Sequence, residues 1–274
     1  MRDYIMTFVP ITDAEIDVDS PITQVLMTKY RDNINAIGLR GVETPKILGV
    51  PYNRQVFTAN GTWTKPSNAE AGDTVIVWGV GGGGGGAKDT VQQGNAGGGN
   101  GGIGFLWRIN NIASLASTRS VVIGAGGAGK ATVSGSGGNG GNTSFGTSGQ
   151  YGYCSFTGGN GGFSSEAVNG RQTIIFYSDT ASANQTCWWG NEGIGGSKSL
   201  EPFPSEYGGG GGGASYFSGG FGGASAWGGE GGEGESNANG QVGGFPGGGG
   251  GATQSNTGGA GGDGYMVVYS IKEG

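Results

Sequence analysis

Val75-Ile76-Val77-Trp78-Gly79-Val80 runs without a break into six glycines, 81–86. The first part is a short apolar run rich in β-branched residues and reads as a strand buried on both faces. The second part is not a flexible linker, which would carry serine and few aromatics. Two further uninterrupted runs occupy 208–213 and 247–251, and the last leads on towards Tyr265, Val267, Val268 and Tyr269. Glycine in this setting reads as packed, because a backbone without Cβ can be crowded against other backbones. Extended as polyglycine II, with three residues per turn and a rise of ~3.1 Å, six glycines span roughly 19 Å. Such segments can lie side by side and pair N–H with C=O laterally, as buried backbone polar groups require. Stretches 137–141 and 219–223 are placed to extend the same array.

Composition narrows the class. Gly accounts for 69 of 274 residues but Pro for only 8. Collagen needs a strict glycine triplet with abundant proline, so it is excluded. Only 12% of residues are charged and 10% are aromatic, which argues for a folded chain over a charge-driven disordered one. The net charge is −6 with no basic stripe, so nucleic acid is not an expected partner. No apolar run approaches the ~20 residues of a membrane helix. The beginning of the chain lacks a secretory profile, and synthesis in a cytoplasm is expected.

The expected fold class is mainly β: a short N-terminal helical segment, then a glycine-rich β-sandwich with polyglycine II helices. Residues 1–54 are expected to form an attachment or oligomerisation segment with one helix, and 55–274 the glycine-rich domain. Ser20-Pro21 is a helix start. Ile22, Val25, Leu26, Tyr30, Ile34 and Ile37 follow at helical spacing, and Gly38 is placed to end the helix. That apolar stripe packs either on its own neighbouring strand or on another subunit. Val56-Phe57-Thr58 and Thr62-Trp63-Thr64 flank Asn60-Gly61 and predict a hairpin. Further strands are predicted over 74–80, 103–109, 120–123, 173–177 and 265–271.

Several motifs imitate chemistry. Gly124-Ala125-Gly126-Gly127-Ala128-Gly129-Lys130 follows a strand and resembles a phosphate-binding loop. The helix that must aim its N-terminus at phosphate does not follow, so no nucleotide is expected. With no histidine in the chain, no Ser-His-Asp or Cys-His arrangement is possible. Glu230, Glu233 and Glu235 read as a solvated loop rather than paired catalytic acids. Cys154 and Cys187 read either as two buried thiols or as one bridge, and are too few for a zinc site. No enzyme activity, cofactor or metal is expected.

About half of the chain's aromatic residues fall between 151 and 227. Tyr151, Tyr153, Trp188, Trp189, Tyr207, Tyr216, Phe217 and Trp227 sit in or beside irregular Gly/Ser/Asn sequence. Rigid aromatics among small polar residues suit recognition surfaces. They suit equally well the capping of an open glycine array.

Phe57-Thr58-Ala59-Asn60-Gly61-Thr62-Trp63-Thr64-Lys65-Pro66, Val77-Trp78-Gly79-Val80 with its glycine run, and Gly261-Gly262-Asp263-Gly264-Tyr265-Met266-Val267-Val268 resemble the glycine-rich domain of bacteriophage tail fibres. Ile11-Thr12-Asp13-Ala14-Glu15-Ile16-Asp17 and Ser20-Pro21-Ile22-Thr23 look like the N-terminal module of phage tail proteins. In style the glycine domain is similar to T-even-type fibre-tip adhesins. The resemblance implies a virion protein of the tail fibre or tail tip that mediates adsorption to the host. It implies other phage tail proteins, a bacterial surface protein or glycan, and sister chains of a homotrimer as partners. Tyr151, Tyr153, Trp188, Trp189, Tyr207, Tyr216, Phe217 and Trp227 would then meet the receptor, and the 22–37 stripe would serve assembly. The alternative is a structural virion component, such as a shaft, collar or decoration protein, without a receptor. An ice-binding role is a remote third reading, for which no regular Thr or Ala ladder is evident.

Overall fold

Among the described residues nine strands carry the fold, and all pair antiparallel. The computed structural model describes residues 51–90, 96–163, 185–191, 205, 208–214 and 220–272, within the compact unit Pro51–Lys272. The strands are β1 (Pro51–Phe57), β2 (Gly61–Thr64), β3 (Thr74–Val80), β4 (Gly104–Ile109), β5 (Thr118–Val122), β6 (Thr143–Phe145), β7 (Cys154–Phe156), β8 (Gln185–Asn191) and β9 (Tyr265–Ile271). One sheet has the order β1-β9-β3-β4-β8 and the other β2-β5-β6-β7. The predicted helix over 21–37 and strand over 173–177 lie outside the described residues.

The two sheets face each other across a hydrophobic core. Val75, Val77, Phe105, Trp107, Met266 and Val268 from one sheet meet Trp63, Val121, Phe145 and Phe156 from the other. The glycine inside β3 has a packing reason. A Cβ at Gly79 would fall 2.6 Å from the Phe156 ring, which lies 4.3 Å, centroid to centroid, from Phe105. As the sequence predicts, β3 is buried along nearly all its length.

Asn60-Gly61 does not close a hairpin. β1 pairs with β9 and β2 with β5, so the chain crosses between sheets there. The turn signal is local, whereas each flanking strand finds its partner far along the chain. Asn60 serves the crossing instead, its Oδ1 accepting from Ile123 N–H at 2.8 Å.

Beyond the strands the chain continues as extended glycine segments. Each N–H from Gly82 to Ala87 donates to a carbonyl in turn: Gly141, Gly262, Asn100, then Gly138, Gly259, Gly97. Three neighbours are visited in rotation, the threefold repeat of polyglycine II. The carbonyls of the same residues accept from Gly159, Gly127, Gly250, then Gly162, Lys130 and Thr253. All these bonds measure 2.7–3.1 Å. Segment 81–87 therefore sits at the centre of six others. Segment 247–253 occupies a second such centre, donating towards 81–87, 210–213 and 241–244 and accepting from 97–102, 229–235 and 258–262.

This packing explains the uninterrupted glycine. A Cβ added at any position of 81–86 would lie 2.0–2.2 Å from a neighbouring carbonyl oxygen, all of them backbone. Segments with fewer neighbours carry a side chain every third residue: Ala125 and Ala128, Asn139 and Asn142, Glu230 and Glu233, Val242 and Phe245. Where the lattice lacks a carbonyl, these side chains supply one. Asn139 Oδ1 accepts from Gly161 N–H at 2.9 Å and Asn142 Oδ1 from Gly158 N–H at 3.0 Å. The phosphate-loop imitation, 124–130, is one of these lattice segments and starts no helix.

Candidate functional site

The topology sorts side chains to two ends of the lattice. Strands enter at one end, as β3 leads directly into 81–87 and 258–263 leads into β9. Turns gather at the other end, and there glycine gives way to Ser, Thr and Asn. Thr90 N–H donates to Ser134 Oγ at 2.8 Å, and the two hydroxyls lie 2.6 Å apart. Thr253 Oγ1 donates to Ala238 O at 2.7 Å, Asn256 Nδ2 to Asn237 O at 2.9 Å and Ser255 Oγ to Ser236 O at 3.2 Å. Isolated bridges tie Lys88 to Gly135 and Thr253, and Glu235 to Thr253. The turns at 88–90, 131–135, 235–239 and 253–257 thus form one continuous, mainly polar surface, on which Val133 stands exposed.

At the strand end lies a surface of different character. The outer face of the five-stranded sheet places Arg54 beside Tyr269, and Val56 beside Val267 and Trp78. Trp78 meets Tyr265 edge-on at 5.3 Å between centroids and Trp227 at 6.4 Å; Phe245 meets Tyr265 at 5.7 Å. Trp227 is 62% and Phe245 53% exposed. The Arg54 guanidinium stands 5.9 Å from the centre of the Tyr269 ring. Hydrogen bonding to Tyr269 raises its pKa further, against a smaller opposing effect of burial.

The aromatics singled out in the sequence are distributed rather than gathered. Tyr151 and Tyr153 lie half-buried in the turn from β6 to β7, at the end of the sandwich away from the lattice. Tyr151 packs on the core, and its carbonyl accepts from the buried Arg119. Burial lifts the Tyr151 phenol above its ordinary value, with Arg119 acting the other way, and burial lowers Arg119. Trp188 and Trp189 belong to edge strand β8, where Trp188 pairs in register with Leu106. Trp227 belongs to the ring cluster. Tyr207, Tyr216 and Phe217, like Ile22, Val25, Leu26, Tyr30, Ile34 and Ile37, lie outside the described residues.

Sequence reasoning missed Trp78, Tyr265 and Phe245 as surface groups. The available signal was that Trp78 and Tyr265 occupy strand positions close beside glycine segments, where the two layers meet. Cys154 is a buried thiol. Among the described residues no group of His, Cys, Asp or Glu is arranged to hold a metal, and no helix is long and apolar enough to cross a membrane. Glu230 is exposed, and Glu233 accepts from Gln241 Nε2 at 2.9 Å.

This construction agrees with the comparison of sequences. Residues 56–270 match the family described as glycine-rich domain, and the chain belongs to it. A comparison with curated proteins finds no match.

Proposed function

We propose that this chain is a bacteriophage tail-fibre or tail-tip protein that mediates adsorption to the host cell surface. The observation that carries the reading is the collection of four mainly polar turns on one end of a lattice anchored by the surrounded glycine segments 81–87 and 247–253. A base of that kind holds recognition loops in place with little ordering cost on binding, which is the main loss that loop-borne sites otherwise suffer. The part of the expected attachment segment that precedes β1 joins the chain to other tail proteins and to sister chains, as a trimer. Several copies on one particle then turn weak single contacts into stable attachment to a bacterial surface protein or glycan. The protein in this reading is assembled in the host cytoplasm and works on the virion.

The test uses the purified chain as a competitor of phage adsorption. The wild type is expected to bind host cells and block adsorption. A variant with 236–239 and 254–257 replaced by Gly/Ser turns of equal length, which spares the buried Thr253, should stay folded with a lowered thermal transition and lose the block. A wild-type protein that binds no host cells and maps to a proximal position on the particle is instead a structural shaft, collar or decoration component.

A further inference from the structure

We infer that the outer face of the five-stranded sheet, where it meets the lattice, is a binding platform for an acidic saccharide. This rests on the adsorption reading for its biological setting, but its evidence is separate. The four rings of Phe245, Tyr265, Trp78 and Trp227 form one continuous series of edge-to-face contacts. A rim of two strongly exposed rings around two half-buried ones is costly to leave in water and offers stacking faces to the C–H face of a sugar ring.

The platform is rigid before any ligand arrives. Trp78 and Tyr265 stand on β3 and β9, both interior strands of the sheet, and Phe245 on a lattice segment. A weak, soluble ligand gains most from such a surface, because no loop has to be ordered on binding.

Charge selects the class of sugar. The chain carries a net charge of −6, yet this face presents the exposed guanidinium of Arg54 beside Tyr269 and Tyr265. Among the described residues no carboxylate pairs with it, and Asp263, close by in sequence, is turned to Gly126 N–H at 2.8 Å. A planar guanidinium beside stacked rings matches a sugar carboxylate bidentately. A guanidinium set among ring faces favours a ligand that brings both a carboxylate and a C–H face, as an acidic sugar does.

The experiment titrates the full chain on an array of uronic-acid-bearing, ketodeoxyoctonic-acid-bearing and neutral bacterial oligosaccharides. Wild type is expected to bind acidic members. Trp227→Ala combined with Phe245→Ala should weaken that binding by on the order of tenfold or more, since exposed aromatic stacking partners are removed without opening the core. Arg54→Gln should erase the preference for acidic over neutral members while sparing neutral binding. Binding of no member by wild type overturns the proposal, as does equal binding by the ring variant. Wild type that adsorbs to cells but binds no sugar leaves the adsorption reading standing without this one. Sugar binding without cell adsorption does the reverse.

Discussion

In the sandwich, Phe156 fills the space that Gly79 leaves open and stacks on Phe105. In the lattice, the corresponding space between 84 and 160 is filled by the backbone itself. Both interiors are closely packed, but the first is assembled from side chains and the second has almost none. A side-chain core tolerates changes of shape at moderate cost, because neighbours repack. A backbone lattice has nothing to repack, since the groups in contact are also those that bear the hydrogen bonds. The two regions should therefore answer substitution with different magnitudes and different tolerance.

The largest effect is expected from Gly84→Ala. At an unstrained, uncrowded position, Gly→Ala stabilises by ~0.4–1 kcal/mol through the unfolded state. Here the new Cβ would lie 2.0 Å from Asn160 O and 2.4 Å from its carbonyl carbon. Segment 158–162 would have to move, breaking bonds on both sides of a central helix. The loss should exceed ~5 kcal/mol, the high end for emptying a buried aromatic site. Chemical denaturation reads it directly. A gain in stability would mean that the lattice is looser than its geometry, and the contrast with the core would disappear.

Phe156→Ala comes next, with a loss of ~3–5 kcal/mol from the transfer and cavity terms. Its use is to sharpen the comparison: Phe156→Leu should recover much of the loss, whereas no residue larger than glycine should be tolerated at 84. Equal tolerance at the two sites would refute the distinction.

Much of this was legible in the sequence, and the reasons differ by region. The lattice announced itself because only mutual backbone crowding demands runs like 81–86, where even alanine is excluded. β3 and β9 were legible from their continuous apolar runs. The Asn60-Gly61 crossover was not, because a turn dipeptide reports the local bend and says nothing about which distant strand captures each arm. The three-residue spacing of Asn139 and Asn142, or of Glu230 and Glu233, was present to be read as the outward positions of a threefold helix. It was obscured by the apparent randomness of glycine in a glycine-rich chain. The Trp78 cluster was hidden for a physical reason: Trp78, Tyr265, Phe245 and Trp227 come together only through sheet register and lattice packing.

A smaller effect tests the rim of the lattice. Asn139→Ala removes the acceptor of Gly161 N–H, and Asn142→Ala that of Gly158 N–H. Each should cost about 1 kcal/mol, the net value of an ordinary hydrogen bond. Side chains one polyglycine II turn apart on the same segment stand ~9 Å from each other, so the pair should be close to additive. Additive modest losses at the rim beside a collapse at Gly84 would locate the lattice's rigidity in its two surrounded helices. Losses as large as that of Gly84→Ala would place it in the periphery instead.

The smallest effect, confined to alkaline solution, asks whether the two regions unfold together. Tyr52 donates to Asp73 Oδ2 at 3.0 Å, in a group that Lys272 joins through Glu70 at 2.9 Å. Partial burial, then the hydrogen bond and charge of Asp73, push the Tyr52 phenol from 10.0 up to about 12. The unfolded chain therefore loses this proton first as pH rises. Stability from this source is complete below about pH 10 and drains away between there and about pH 12. The loss should be slight, because the site is largely open to screening solvent, and Tyr52→Phe should flatten the profile in that window. The glycine helices at 81–86 and 247–251 carry no titratable group themselves. Since β3 runs unbroken into 81–87, the amides of Gly82 to Gly86 should lose exchange protection in step with the near-ultraviolet signal of the sandwich aromatics. Glycine amides that stay protected after that signal has collapsed would make the lattice a folding unit of its own.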